Sequence, residues 1–107
     1  MFKSAFIIMA PDGDPKKHRA TVKTERAELT AVFIEMTNFD QAVEVAKDLV
    51  QKQGVQSIYL CAGFTHQAVA RIASAVAGRA AVQIGRGDGP SSAMVTDILT
   101  KEGWFDE

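Results

Sequence analysis

The alternation of helix-like and strand-like segments in the second half of the chain is the feature that most restricts its fold. Apolar residues recur at helical spacing after Asn38, and again after Thr65 and Ser91, while residues 55–61 and 80–85 are short apolar segments of strand length. Crossovers of this length between strands are right-handed and produce a mostly parallel sheet. The sequence therefore predicts an α/β fold.

Three further strands precede this region and complete the predicted sheet. Residues 2–10 form a strand that is apolar on both faces, which is typical of a central position, and the turn sequence at 11–15 ends it. Residues 19–24 and 27–36 form an added hairpin. In its second strand Leu29, Ala31 and Phe33 share one face, and Val32 and Ile34 lie on the other. We expect one compact domain over residues 1–107, with a mostly parallel sheet of four to five strands, this hairpin and three helices.

Each predicted helix begins at a capping residue. Asn38 is the N-cap of the first, with Gln41 at the capping-box position, and Gly54 ends it. Thr65 caps the second helix, which Gly78 closes. The residues predicted to face inward are Phe39, Ala42, Val43, Ala46, Leu49 and Val50 in the first helix, Val69, Ile72, Ala73 and Val76 in the second, and Val95, Ile98 and Leu99 in the third.

Three helices are few for a sheet whose central strands are apolar on both sides. Either the helices divide between the two faces, or a second copy of the chain covers one face. We favour a homodimer because isologous dimers are the commonest oligomers, and the tail aromatics Trp104 and Phe105 are candidates for that contact. Phe33, Phe39 and Phe64 are interpreted as core residues.

Charge and cysteine content exclude several classes of protein. Lys and Arg number 12 and Asp and Glu 13, for a net charge of −1, which argues against a dedicated nucleic-acid binder. The short basic cluster 16–19 is interpreted as a solvated loop. Cys61 is the single cysteine, so no intramolecular disulfide can form, and no apolar run is long enough for a membrane span or an export signal. These features favour a reduced, cytoplasmic protein.

Common catalytic and cofactor motifs are missing from the sequence. It contains no HExxH, CxxC or GxSxG, and Pro90 stands where a dinucleotide-binding fingerprint starting at Gly85 requires its third glycine. A metal site built from His18, His66, Asp12 and Asp88 would need three loops to converge. We therefore predict neither a cofactor nor a metal.

Polar and glycine-containing segments follow the predicted parallel strands, at the edge where ligands of open α/β sheets bind. Glycine allows close backbone approach, helix N-termini attract anions, and an arginine can hold a phosphate or carboxylate. We expect a small anionic metabolite to bind there. The candidate ligand-binding residues are Asp12, Gly63, Thr65, His66, Arg86, Asp88 and Ser91. The plainer alternative is that these are ordinary loops in which Thr65 and Ser91 cap helices.

An enzyme and an interaction protein remain as alternatives. In an enzyme His66 would be the acid or base, Cys61 a nucleophile and Arg86 the group that neutralises developing charge. Against this, a free cysteine is usually a small core hydrophobe. Glu35 is either an outward-facing edge residue or a general base facing the cleft. An interaction or scaffold protein would need no small-molecule site, because its dimer surface would be its function.

Several short segments together resemble a family of bacterial proteins of about this length, catalogued as a domain of unknown function. They are residues 6–8 with Ala10 and Pro11, 18–20, 28–30, 42–47, and 60–64 before His66. The resemblance covers nearly the whole chain up to about Arg86. It implies a bacterial, cytoplasmic setting and implies no particular chemistry.

Overall fold

The computed structural model describes residues 1–106, in which a single sheet contains five strands and three helices accompany it. The strands are β1 (Phe2–Ala10), β2 (Arg19–Lys23), β3 (Ala27–Glu35), β4 (Ser57–Leu60) and β5 (Ala81–Ile84). The helices are α1 (Phe39–Gln53), α2 (His66–Ala75) and α3 (Gly89–Lys101).

The sheet is mixed and mostly parallel, in the order β2-β3-β1-β4-β5. β1 pairs in parallel with both β3 and β4, and β4 pairs in parallel with β5. β2 is the antiparallel edge strand and forms a hairpin with β3. The predicted α/β class, the added hairpin and the central position of β1 are therefore confirmed.

Helices α1 and α2 cover one face of the sheet. The chain passes from β3 to β4 and from β4 to β5 in the same direction across the sheet, so right-handed crossovers place both helices on the same side. Ile7 of β1, Ile34 of β3 and Ile58 of β4 point towards them and are fully buried. Burial of each side chain of this size stabilises the folded state by about 1.5–3 kcal/mol. The core thus lies between one sheet face and two helices.

The opposite face of the sheet has no comparable cover. Phe33, which the sequence placed in the core, is 37% exposed, and Leu29 is 43% exposed. The first of the two predicted arrangements, with helices divided between the faces, is wrong, because α3 buries none of its residues. Val95 and Ile98 were predicted to face inward, yet they are 53% and 48% exposed. In α2 Ala73 is also exposed, whereas Ala68 is buried.

The caps of α1 and α2 form as the sequence predicts. The Asn38 side chain accepts a hydrogen bond from the Gln41 N–H at 3.1 Å, and the Thr65 hydroxyl accepts one from the Ala68 N–H at 3.1 Å. Gly54 ends α1 in the left-handed conformation, with φ 71°. The side chain of Gln41 does not close a capping box; it accepts the N–H of Glu35 at 2.7 Å, so it ties α1 to β3.

Helix α3 runs along the carboxyl edge of the sheet. It begins just after β5, and the tail that follows it lines a hollow together with Pro11 and Thr37, which follow β1 and β3. Trp104 is half-buried in that hollow, and Phe105 is 51% exposed. No helix within residues 1–106 has the length and apolar character that crossing a membrane requires.

Candidate functional site

The loops after β4 and β5 meet at the carboxyl edge, and Arg86 joins them. Its Nη1 donates to the carbonyl oxygens of Ala62 and Phe64 at 3.2 and 3.1 Å, and its Nη2 lies 3.3 Å from Nδ1 of His66. Both loops follow parallel neighbouring strands, so their proximity is a direct result of the topology. The predicted grouping of Arg86 with the Gly63–His66 segment is therefore present in the structure.

The hydrogen bonds of Arg86 stabilise the β4–α2 loop. A guanidinium has five N–H donors in a fixed fork, and here two hydrogen bonds and the imidazole contact hold the β4–α2 loop. The residue remains exposed, so donors on its outer side stay accessible to solvent. An anion bound here would accept hydrogen bonds from a guanidinium that already donates to the carbonyl oxygens of Ala62 and Phe64.

The other predicted residues of these loops have local roles. Gly63 lies against Met9, where an added Cβ would approach the sulfur to 3.4 Å. Thr65 caps α2. Asp88 is the N-cap residue of α3, but its side chain makes no capping hydrogen bond, and Ser91 is exposed in the first turn.

Asp12 lies in a different place, at the mouth of a hollow between the β1–β2 loop and the uncovered sheet face. This β1–β2 hollow has a volume of about 460 Å³. Its floor is formed by the apolar side chains of Ala10, Ala20, Ala31 and Phe33. Its rim is formed by Asp12, Gly13, Lys17, His18 and Arg19.

Local hydrogen bonds fix the rim of the hollow. The Asp14 N–H donates to Nδ1 of His18 at 3.0 Å, and Nε of Arg19 donates to the carbonyl oxygen of Pro15 at 2.7 Å. The N–H of Phe33 donates to the carbonyl oxygen of His18 at 2.9 Å, which ties the rim to β3. The basic side chains are thus carried by a loop that is ordered by its own hydrogen bonds and by the sheet.

The rim carries an excess of positive charge. Lys17 and Arg19 are cationic and Asp12 is anionic, and no ion pair within residues 1–106 includes any of these three side chains. All three are exposed. A ligand in the hollow would therefore meet two cations without first displacing a protein carboxylate.

The sequence does not reveal this hollow, because residues 16–19 have the composition of a solvated loop. One signal was available: the alternation in β3 puts Ala31 and Phe33 on one face, and the register of the hairpin puts Ala20 beside Ala31. Small residues next to a larger one leave space, and the basic cluster directly precedes Ala20. What the sequence did not reveal is that this face has no helix over it.

Cys61 and His66, the candidate nucleophile and base, share no hydrogen bond in the described part of the chain. Cys61 is half-buried and packs against the core. Glu35 is exposed, and one of its carboxylate oxygens accepts a hydrogen bond from the Asn38 side chain at 3.2 Å. Among residues 1–106 no three His, Cys, Asp or Glu side chains are grouped closely enough to hold a metal ion.

Comparison with known proteins yields one family. The sequence model of DUF6506, a family of unknown function, matches residues 2–98. The match extends past Arg86 into α3, further than the resemblance seen in the sequence, and it includes every residue of the β1–β2 hollow. No curated protein and no solved structure matches the chain. Because the match covers most of its length, the chain belongs to the DUF6506 family of unknown function.

Proposed function

We propose that this protein binds a small anionic metabolite, and that the β1–β2 hollow is its binding site. The observation that carries the proposal is the combination of an apolar floor with a rim on which Lys17 and Arg19 form no ion pair within residues 1–106. Ligand sites are concave and mostly apolar, with a few polar groups that fix orientation. The volume of about 460 Å³ is that of a site for a small molecule.

The chemistry of the hollow indicates the class of ligand. Lys17 and Arg19 would hold a phosphate or carboxylate group, and Phe33 and Ala31 would contact a small apolar body. Asp12 is the one carboxylate at the rim, and it would accept a hydrogen bond from a hydroxyl or amino group of the same ligand. We therefore expect an anion with an apolar part to bind more tightly than inorganic phosphate.

The loops after β4 and β5 remain a second candidate site for the same class of ligand. There Arg86 and His66 are 3.3 Å apart, next to Gly63, but the Arg86 guanidinium already binds two carbonyl oxygens. Asp12 is the member of the predicted set that lies at the hollow instead. One experiment tests both places.

The setting in which we propose this activity is a bacterial cytoplasm. Small phosphorylated and carboxylated metabolites are found there, and a single thiol such as Cys61 stays reduced. The resemblance to bacterial proteins supports this setting.

The test is a thermal-shift screen against phosphorylated and carboxylated metabolites, with phenyl phosphate as a defined probe. Ligand at 100 times its Kd adds about 2.7 kcal/mol to the free energy of unfolding, which raises the Tm by roughly ten degrees or more in a domain of this size. We expect Lys17→Gln to abolish the shift. Lys16→Gln is the matched control, because Lys16 is the adjacent lysine and does not line the hollow.

The possible results separate the two sites. A shift that Lys17→Gln removes and Lys16→Gln retains supports the hollow. A shift that survives Lys17→Gln and disappears in Arg86→Ala would place the ligand on the β4–α2 and β5–α3 loops. The absence of any shift across the screen would contradict the proposed function.

A further inference from the structure

The sheet face opposite α1 and α2, here called the open face, is apolar and exposed. Its side chains are Phe2, Ser4, Phe6, Ile8 and Ala10 of β1; Ala27, Leu29, Ala31, Phe33 and Glu35 of β3; Ala20 and Val22 of β2; Ser57 and Tyr59 of β4; and Ala81 and Gln83 of β5. Phe2 is 49% exposed, Phe6 38% and Val22 67%. Large contiguous apolar patches are rare on monomers and mark sites of association.

Within the strands, the open face carries one charged side chain, Glu35 at the carboxyl end of β3. Lys23 and Glu28 lie on the other face, where Glu28 is buried beside Lys23 at 3.3 Å. Away from Glu35 and the basic rim of the β1–β2 hollow, a partner selected by charge, whether a nucleic acid, an anionic membrane or an acidic peptide, finds no group to bind on this face. The face therefore fits an apolar, uncharged surface.

The area of the open face approaches the area that each partner buries in a stable dimer. Strands of nine, five, nine, four and four residues cover about 500 Å² in projection at a rise of about 3.3 Å per residue and a spacing of about 4.8 Å. Accessible area exceeds projected area because side chains stand above the backbone. Stable interfaces bury about 800 Å² on each partner.

The arrangement of large and small residues on the face suits a copy of itself. In the register of β1 with β3, Phe2 lies beside Ala27, Ser4 beside Leu29, and Phe6 beside Ala31. Over these three pairs large and small side chains alternate both along each strand and between the strands, and the alternation ends at Ile8, which lies beside Phe33. A two-fold axis through this pattern would allow the large residues of each copy to enter the spaces over the small residues of the other.

We propose that a second copy of this chain covers the open face, so that two sheets pack against each other with Phe6 and Leu29 in the contact. Phe33 belongs both to this face and to the floor of the β1–β2 hollow. The partner copy would therefore limit access to the hollow from the side of Phe33. The dimer itself stands on the open face alone and does not depend on a ligand.

The test compares the mass in solution of the wild-type chain and of variants that place a charge on the open face. At 100 µM, we expect light scattering to give the mass of two chains for the wild type and of one chain for Phe6→Glu. Ala73→Glu is the matched control, because it adds the same charge at an exposed position of α2 and should remain dimeric. Val22→Glu, at the most exposed large apolar residue of the face, gives the same comparison if Phe6→Glu does not fold, as judged by circular dichroism.

Two results would overturn the proposal. One is a wild-type chain that remains monomeric at 100 µM. The other is an assembly of any size that both Phe6→Glu and Val22→Glu leave intact, since its contact would then lie elsewhere on the molecule.

Discussion

Gly13 occupies a position where even a methyl group does not fit. An added Cβ would lie 2.1 Å from the carbonyl oxygen of Ile34 and 2.6 Å from its carbon, and both are backbone atoms of the core strand β3. The sequence predicted a turn here from the Pro-Asp-Gly composition. It could not predict the close approach, because that contact depends on β1 and β3 being neighbours in the sheet.

Gly13→Ala should therefore destabilise the protein. Overpacking costs about 1–3 kcal/mol, and we expect the upper end because the atoms that obstruct the methyl group are backbone atoms. A urea denaturation curve measures the loss. Gly89→Ala is the control, since nothing lies within 4 Å of a Cβ at that position; equal stability of the two variants would contradict the packing described here.

Arg86 makes structural hydrogen bonds that the sequence does not predict. The sequence identified it as a ligand for an anion, whereas the structure has it bound to the carbonyl oxygens of Ala62 and Phe64. A sequence can show that an arginine follows a strand. It cannot show which carbonyl groups the neighbouring loop presents to that arginine.

Arg86→Gln should loosen the β4–α2 loop. We expect a loss of about 1 kcal/mol in the free energy of unfolding, because exposed hydrogen bonds contribute modestly, together with faster alkylation of Cys61 by iodoacetamide. Arg79→Gln is the control, as no side-chain hydrogen bond of Arg79 is present among residues 1–106. Unchanged alkylation of Cys61 in Arg86→Gln would show that this arginine does not hold the loop.

At the scale of elements, helix starts were predictable where the cap is local. Asn38 and Thr65 each bind an N–H three residues ahead, so the signal lies within a few residues of sequence. The start of α3 differs, because Asp88 has the right chemistry for a cap and makes no capping hydrogen bond.

The three N-cap positions should respond differently to alanine. Asn38→Ala and Thr65→Ala should each lower the free energy of unfolding by about 1 kcal/mol. Asp88→Ala should change it by less than about 0.5 kcal/mol, because no capping bond is lost. Chemical denaturation of the three variants measures this, and an equal loss in all three would contradict the cap assignments.

Helix α3 is the element for which the sequence pattern failed. Val95, Ile98 and Leu99 recur at helical spacing, which predicts an inward face, yet only Leu99 is half-buried. Periodicity shows that a helix has an apolar side, but not whether the sheet has room for it. Here α1 and α2 already occupy the covered face, and α3 runs along the edge.

The weak packing of α3 predicts its dynamics. Amide hydrogens of α3 should exchange with solvent faster than those of α1, because α3 buries no residue and α1 buries Ala42, Val45, Ala46 and Leu49. Hydrogen exchange measured by mass spectrometry compares the two helices in the same sample. Equal protection of α3 and α1 would show that α3 is covered in solution.

For the whole molecule, the order of strands and helices in the sequence predicts the fold class. It does not predict that the core lies on one face of the sheet alone. The alternation of strands and helices was sufficient to predict a mostly parallel sheet, and the apolar character of both faces of residues 2–10 was sufficient to predict a central β1. The direction of the two crossovers, which puts α1 and α2 on the same face, depends on strand order. Strand order therefore decides that the other face is open, that Phe33 is exposed, and that the β1–β2 hollow exists beside the basic loop.

Binding of an anion in the β1–β2 hollow can be measured by an amide NMR titration with phenyl phosphate. We predict chemical-shift changes grouped at Gly13, Lys17, Arg19 and Phe33, which lie at the rim and floor of the hollow. Titration with inorganic phosphate should shift the same rim amides at higher concentration. Shifts confined to residues 61–66 and 85–92, or no shifts at all, would contradict binding in the hollow.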